Sequence, residues 1–148
     1  MGILTADMKR AVSEQRLGFA ATVCADGTPN LSPKGTTRVW DDDHLVFADL
    51  ASPQTVANVR ANPAIEINVV DPFVRKGYRF KGTATLLEDG ELFERIAAIY
   101  PGRKIRTLVL VRVERAQPLI SPAYERGASE HEIAALWERH YADLAARR

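Results

Sequence analysis

Six runs of this chain are either apolar and partly β-branched or alternate in polarity, and turn residues bound each of them. They read GFAATVC, NLSPKGTTRVW, HLVFAD, AIEINVVD, GYRFKGTATLL and RTLVLVRVERAQPLI. Alternation at period two sends successive side chains to opposite faces of a strand, so each run needs hydrogen-bonding neighbours and a core to cover. Six strands in 148 residues leave unpaired N–H and C=O groups at any open edge, and closure removes those edges. The pattern predicts a mainly β (α+β) fold, an antiparallel six-stranded barrel that is closed or nearly so, with flanking helices. An open α+β sheet produces much the same string.

The connections fit this reading. Asp26-Gly27, between an apolar run and an alternating one, is a hairpin signal. Asp41 to Asp43 form a turn before the third run, read as a solvated loop, and Asp89-Gly90 close the fifth. Thr5 is placed to cap a first helix with Leu4, Met8 and Val12 along one stripe. The segment ELFERIAAIYPG predicts an amphipathic helix on Leu92, Ile96 and Ile99, stopped by Pro101-Gly102. Ser129 and Glu132 have capping-box spacing, and Ile133, Trp137, Tyr141 and Leu144 follow about one turn apart.

Charge and composition narrow the function classes. Lys and Arg total 20 against 19 Asp and Glu, so no overall field favours nucleic acid or an anionic membrane. No apolar run approaches the roughly 20 residues that span a bilayer, and the N-terminus lacks the layout of a signal peptide. A cytoplasmic protein is expected. Cys24 alone allows no internal disulfide and no cysteine metal cage, and reads as an inert thiol in an apolar strand. His44, His131 and His140 show no zinc spacing, so no metal site is predicted.

The segment SPQTVANVRANP carries the chemistry. Ser52 suits an N-cap, Pro53 suits the first helical position, and Asn62-Pro63 ends a helix running to about Ala61. The Gln54 and Thr55 amides then lack intrahelical partners at the positive end of the helix dipole, where a phosphate is well placed. Thr55 adds a hydroxyl and Asn58 an amide one turn on. Plain capping explains the same residues. In the extended NLSPKGTTR run, Ser32, Lys34 and Thr36 share one face while Leu31, Pro33 and Gly35 take the other. A solvated polar face is the ordinary explanation, yet Gly35 in a strand often marks a close backbone approach. HLVFAD delivers Asp49 and Leu50 to the helix start, so Lys34, Asp49 and Thr55 are expected to converge.

The order of hairpin, SPKGT, HLVFAD, SPQTVANVRANP, strand, RFKGTATLLED and helix resembles the pyridoxamine 5'-phosphate oxidase-like family of FMN-binding split barrels, especially its small FMN-binding proteins. The resemblance covers roughly residues 15 to 115, with a C-terminal helix at about 129–146, all in one domain over 1–148. It implies a six-stranded antiparallel split β-barrel that forms a homodimer with FMN between subunits. By position, Ser32, Pro33, Lys34 and Gly35 would run beside the isoalloxazine, and a backbone amide near Lys34 or Gly35 would tune its potential. Asp49 and Leu50 would flank the flavin, and Ser52, Gln54, Thr55 and Asn58 would hold the phosphate end. Many relatives carry Arg or Lys where this chain has Pro53-Gln54, so amides, Lys34, Lys81 or Arg79 must meet the phosphate charge.

The resemblance implies a flavin-dependent oxidoreductase for a small organic substrate or NAD(P)H, with no residue assigned as a catalytic proton donor. A true pyridoxamine 5'-phosphate oxidase is not expected, because its C-terminal substrate-gripping region has no match. In its place, the C-terminal helix would either lend Trp137 or Tyr141 to a partner's flavin pocket or use both as anchors, as an apolar stripe normally does. A noncatalytic FMN or electron-transfer module, and a relative holding deazaflavin or haem, are the alternatives. KGYRFKG partly matches an RNA-recognition strand, but Arg79 and Lys81 depart from its pattern and near-zero net charge opposes it.

Overall fold

The computed structural model describes residues 1–148. Four α-helices flank one antiparallel sheet: α1 (Ala6–Gln15), α2 (Pro53–Ala61), α3 (Glu91–Ala97) and α4 (Glu130–Ala146). The strands are β1 (Gly18–Val23), β2 (Pro29–Lys34), β3 (Arg38–Val39), β4 (His44–Asp49), β5 (Ala64–Asp71), β6 (Lys76–Leu87) and β7 (Thr107–Ile120). They form a seven-stranded sheet in the order β2-β1-β5-β6-β7-β4-β3. The predicted second run therefore divides into β2 and β3, because Gly35 and Thr36 form a turn between them.

That division builds the split barrel. β2 and β3 follow one another in sequence yet occupy opposite edges, so the Lys34–Thr37 turn bridges the open seam of a curled sheet. Thr36 ties the seam: its hydroxyl receives the Ala48 N–H at 2.9 Å and reaches the Ala48 carbonyl at 3.2 Å. Gly18 permits the closure, since a Cβ there would stand 2.5 Å from the Thr37 hydroxyl. Curvature comes from β6, whose register against β7 shifts at Lys81/Gly82. A side chain at Gly82 would strike the Arg112 carbonyl.

The barrel interior holds Leu45, Phe47, Ile67, Val69, Phe80, Val109 and Val111, all essentially inaccessible. Leu4, together with Met8 and Val12 of α1, covers one end, and the Thr5 hydroxyl accepts the Met8 N–H as expected. A second core of Val46, Ala48, Leu108, Phe93, Ile96 and Tyr100 lies where α3 packs on the other face of β4 and β7. Those strands are buried on both faces, which explains the unbroken apolar reading of LVFA and LVLV. The predicted α3 stripe is corrected. Ile96 is buried, but Leu92 and Ile99 are exposed, and Phe93 and Tyr100 take their places. Spacings of three and four residues fit either face, and the larger aromatic rings fill the cavity behind β4.

The Asp41–Asp43 turn is more than a solvated loop. Asp42 pairs with Lys9, its carbonyl receives the Leu4 N–H at 2.9 Å, and Asp43 Oδ1 receives the Ile3 N–H at 2.9 Å. The turn thus latches the N-terminal segment to the sheet. α4 carries the predicted capping box and buries Ile133. The Arg75 guanidinium lies 3.5 Å from the Trp137 ring centroid, and Tyr141 meets Phe73 edge-on at 5.4 Å. Both aromatics thus anchor α4 to the β5–β6 turn. No helix is long and apolar enough to cross a membrane.

Candidate functional site

β2 inverts the usual relation between polarity and solvent. Lys34 and Thr36 are only 4% and 6% exposed, and Ser32 is half-buried, whereas Leu31 is 66% exposed and Pro33 and Gly35 face out. As an edge strand, β2 tolerates Pro29 and Pro33. Its polar face, which solvent would ordinarily claim, turns inward instead. Lys34 Nζ donates to Ser32 Oγ at 2.9 Å and sits 5.7 Å from the Phe47 ring centroid. It forms none of the chain's ion pairs. Burial holds the Lys34 ammonium below the usual lysine range, with the Asp49 charge opposing that shift. Gly35 makes no close approach to the chain, since a Cβ there would meet nothing within 4 Å.

β4 delivers Asp49 to the start of α2. Asp49 Oδ1 accepts the Ser52 N–H at 2.7 Å, and the Ser52 side chain makes no capping bond. Simple self-capping therefore does not describe this helix. The Gln54 and Thr55 N–H groups have no partner in the chain. Thr55 is 2% exposed. Asn58, equally buried, is engaged internally: its Oδ1 accepts Gln54 Nε2 at 2.7 Å, and its Nδ2 donates to Thr22 Oγ1 at 3.0 Å. The same Nδ2 reaches Cys24 Sγ at 3.6 Å, and Cys24 lies half-buried beyond the end of β1. Asn58 therefore docks α2 onto β1 and Gln54 braces it from the same helix, which leaves the amides, Ser52 and Thr55 as the free groups of the helix start.

The cations at this end escaped the sequence reading. Asp49, Leu50, Ser52 and Pro53 line a hollow of about 640 Å³ together with Lys104 and Arg106. Neither basic residue forms an ion pair. They arrive there because β7 pairs with β4 in a register that sets Thr107 opposite Asp49. Lys81 is elsewhere. It lies 3.6 Å from Glu66, in a groove with Asn62 and Pro63 at the far end of α2. Arg79 Nε also approaches Glu66, at 2.6 Å. The structure thus gathers Ser32 with Lys34, and Asp49, Leu50 and Ser52 with Lys104 and Arg106, but does not bring Lys81 to the helix start. Phe80 is buried and the Tyr78 hydroxyl bonds Asp7, so KGYRFKG offers no ring pair for base stacking.

A curled antiparallel sheet split at its β2–β3 seam, with Lys34 and the free turn amides at that seam, defines a split-barrel protein. A family model described as pyridoxamine 5'-phosphate oxidase matches residues 4–119, and the chain belongs to that family. HupZ from Group A Streptococcus is 36% identical, aligned over 80% of this chain and 96% of its own, with a TM-score of 0.74. An FMN-binding protein from Syntrophomonas wolfei shares the fold at 16% identity, covering 78% of this chain and 85% of its own, with a TM-score of 0.67. An F420 reductase does so at 24% identity, covering 72% and 94%, with a TM-score of 0.53. Among curated proteins none matches the sequence. α4 lies outside the matched segment.

Proposed function

We propose that this protein binds FMN noncovalently as a homodimer and acts as a flavin-dependent oxidoreductase on a small organic substrate or with NAD(P)H. The observation that carries the reading is Lys34: a buried ammonium with one neutral hydrogen-bond partner and no ion pair, balanced only by the more distant Asp49 charge. Such a group is costly to bury unless something else pairs with it, and an electron-rich, anionic cofactor meets that need. The residues fit the cofactor at both ends. Ser32, Pro33, Lys34 and Gly35 would hold the ring system, with Asp49 and Leu50 flanking it. Ser52, Thr55 and the free α2 amides would hold the phosphate, and Lys104 and Arg106 would supply the charge that Pro53-Gln54 lack.

Bound FMN supplies two-electron redox chemistry, while the protein supplies orientation and electrostatics. A second copy of the chain suits the outer face of β1 and β2, where exposed Phe19 pairs with Pro33 and exposed Leu31 pairs with Ala21. An apolar strip of this kind on an edge hairpin favours a covering partner. Thr55→Val tests the phosphate end. Loss of one hydrogen bond to a charged group should weaken FMN binding by about 1–3 kcal/mol and leave the circular dichroism spectrum unchanged. A fluorescence titration showing wild-type affinity removes Thr55 from the site.

A further inference from the structure

We propose that Tyr100 is a positioning residue for the flavin site: its hydroxyl fixes the turn that carries Lys34, so that the turn keeps its donors free and its acceptors tied back. The inference rests on the FMN reading above. The turn runs from Lys34 to Thr37, and every carbonyl in it is engaged from within the chain. Lys34 O receives the Thr37 N–H at 3.2 Å and the Thr37 hydroxyl at 2.8 Å. Arg38 Nη1 donates to Gly35 O at 3.2 Å and to Thr37 O at 2.8 Å. Thr36 O receives the Tyr100 hydroxyl at 2.7 Å. The Gly35 and Thr36 N–H groups, in contrast, have no partner in the chain.

Backbone amides and carbonyls occur in equal numbers, so a turn with all its carbonyls occupied and two amides free is electrostatically one-sided. Together with the Lys34 ammonium it offers donors only, a set suited to the carbonyl oxygens and acceptor nitrogens of a flavin ring. Thr37 lies in the turn itself and Arg38 opens β3, the strand that follows it. Tyr100 belongs to neither. It follows α3, is 4% exposed, and packs with Phe93 and Ile96 in the second core. Its hydroxyl also lies 3.4 Å from the Val46 carbonyl on β4. One buried phenol therefore couples α3, β4 and the turn, and burial pushes its own ionisation well above the usual tyrosine range, keeping it a donor.

Tyr100→Phe keeps the ring and removes only the hydroxyl. Two readouts are taken on full-length protein. Without added flavin, hydrogen exchange at the Thr37 and Ala48 amides, which depend on the turn, should quicken about fivefold, the factor for one typical hydrogen bond. Amides of β5 and β6 should not change. With FMN bound, the midpoint potential measured by spectroelectrochemistry should become more negative, and the dissociation constant should rise about fivefold. Arg38→Met, which releases two carbonyls from the half-exposed side, is the second variant. It should shift the potential in the same direction even if Tyr100→Phe folds poorly. A flavin-loaded wild type whose potential is unmoved by either variant overturns the role of Tyr100, even where exchange quickens. A wild type that takes up no FMN overturns the function proposed above, and the positioning role with it.

Discussion

Replacing Lys34 with methionine should move stability and ligand affinity in opposite directions. The substitution keeps an unbranched chain of similar length beside Phe47 and removes a charge that is 4% exposed and bonded only to Ser32. Removing a buried charge that has no ion-pair partner within reach should stabilise the free protein by about 1–2 kcal/mol. In a chain of this size that is about 2–8 °C in melting temperature. A charged hydrogen-bond donor contributes about 1.5–3 kcal/mol to its acceptor, so the FMN dissociation constant should rise about 10- to 150-fold. Differential scanning fluorimetry of flavin-free protein and a fluorescence titration with FMN read the two effects. The pH dependence has a defined sign. Burial lowers the Lys34 proton affinity in the folded state, so the unfolded chain binds more protons between the folded pKa and the ordinary lysine value. Stability of the free wild type should therefore rise with pH through that window. FMN, which favours the charged form, should bind more weakly through the same window. Lys34→Met should lose both dependences. A methionine variant that melts lower than wild type, or binds FMN equally well, refutes the assignment of Lys34 as a site cation.

Lys104→Ala and Arg106→Ala separate phosphate recognition from ring recognition. Each should weaken FMN binding by about 3- to 10-fold, the range for one partly exposed charge-assisted contact, while riboflavin affinity stays at its wild-type value. The FMN effect should shrink as salt is raised. Equal losses for both ligands would place these residues outside a phosphate site.

Local signals in the sequence agree with the structure where a few neighbouring residues decide it. The Asp26-Gly27 hairpin, the Thr5 cap, the Ser129–Glu132 capping box and the Pro53 start of α2 all depend on residues a few positions apart. The alternation in RTLVLVRVERAQPLI likewise matches β7, where Val109, Val111 and Val113 are buried on one face, because a period of two is unambiguous along a long strand. Most of what escaped depends on distant parts of the chain. Nothing local to NLSPKGTTR says that its polar face turns inward. That follows from the seam, where Thr36 bonds Ala48 and Lys34 lies over Phe47. The α3 face was misread because Leu92 and Phe93 offer equivalent helical spacings, and only the cavity behind β4 chooses between them. Lys104 and Arg106 reach the helix start through the β4–β7 register, and the Asp41–Asp43 latch holds a segment about forty residues away. Ser52 had the right residue type for a cap, but Asp49 holds its N–H and its hydroxyl makes no capping bond.

The visible absorbance spectrum of the purified protein, recorded before and after incubation with FMN and gel filtration, tests the central claim most directly. A homodimer holding FMN should show a flavin spectrum that co-elutes with a peak of about 33 kDa, twice the mass of the 16.4 kDa chain. A colourless protein after FMN incubation would contradict it. So would a deazaflavin or haem spectrum, which would leave the split barrel standing and assign Lys34 and its turn to a different ligand.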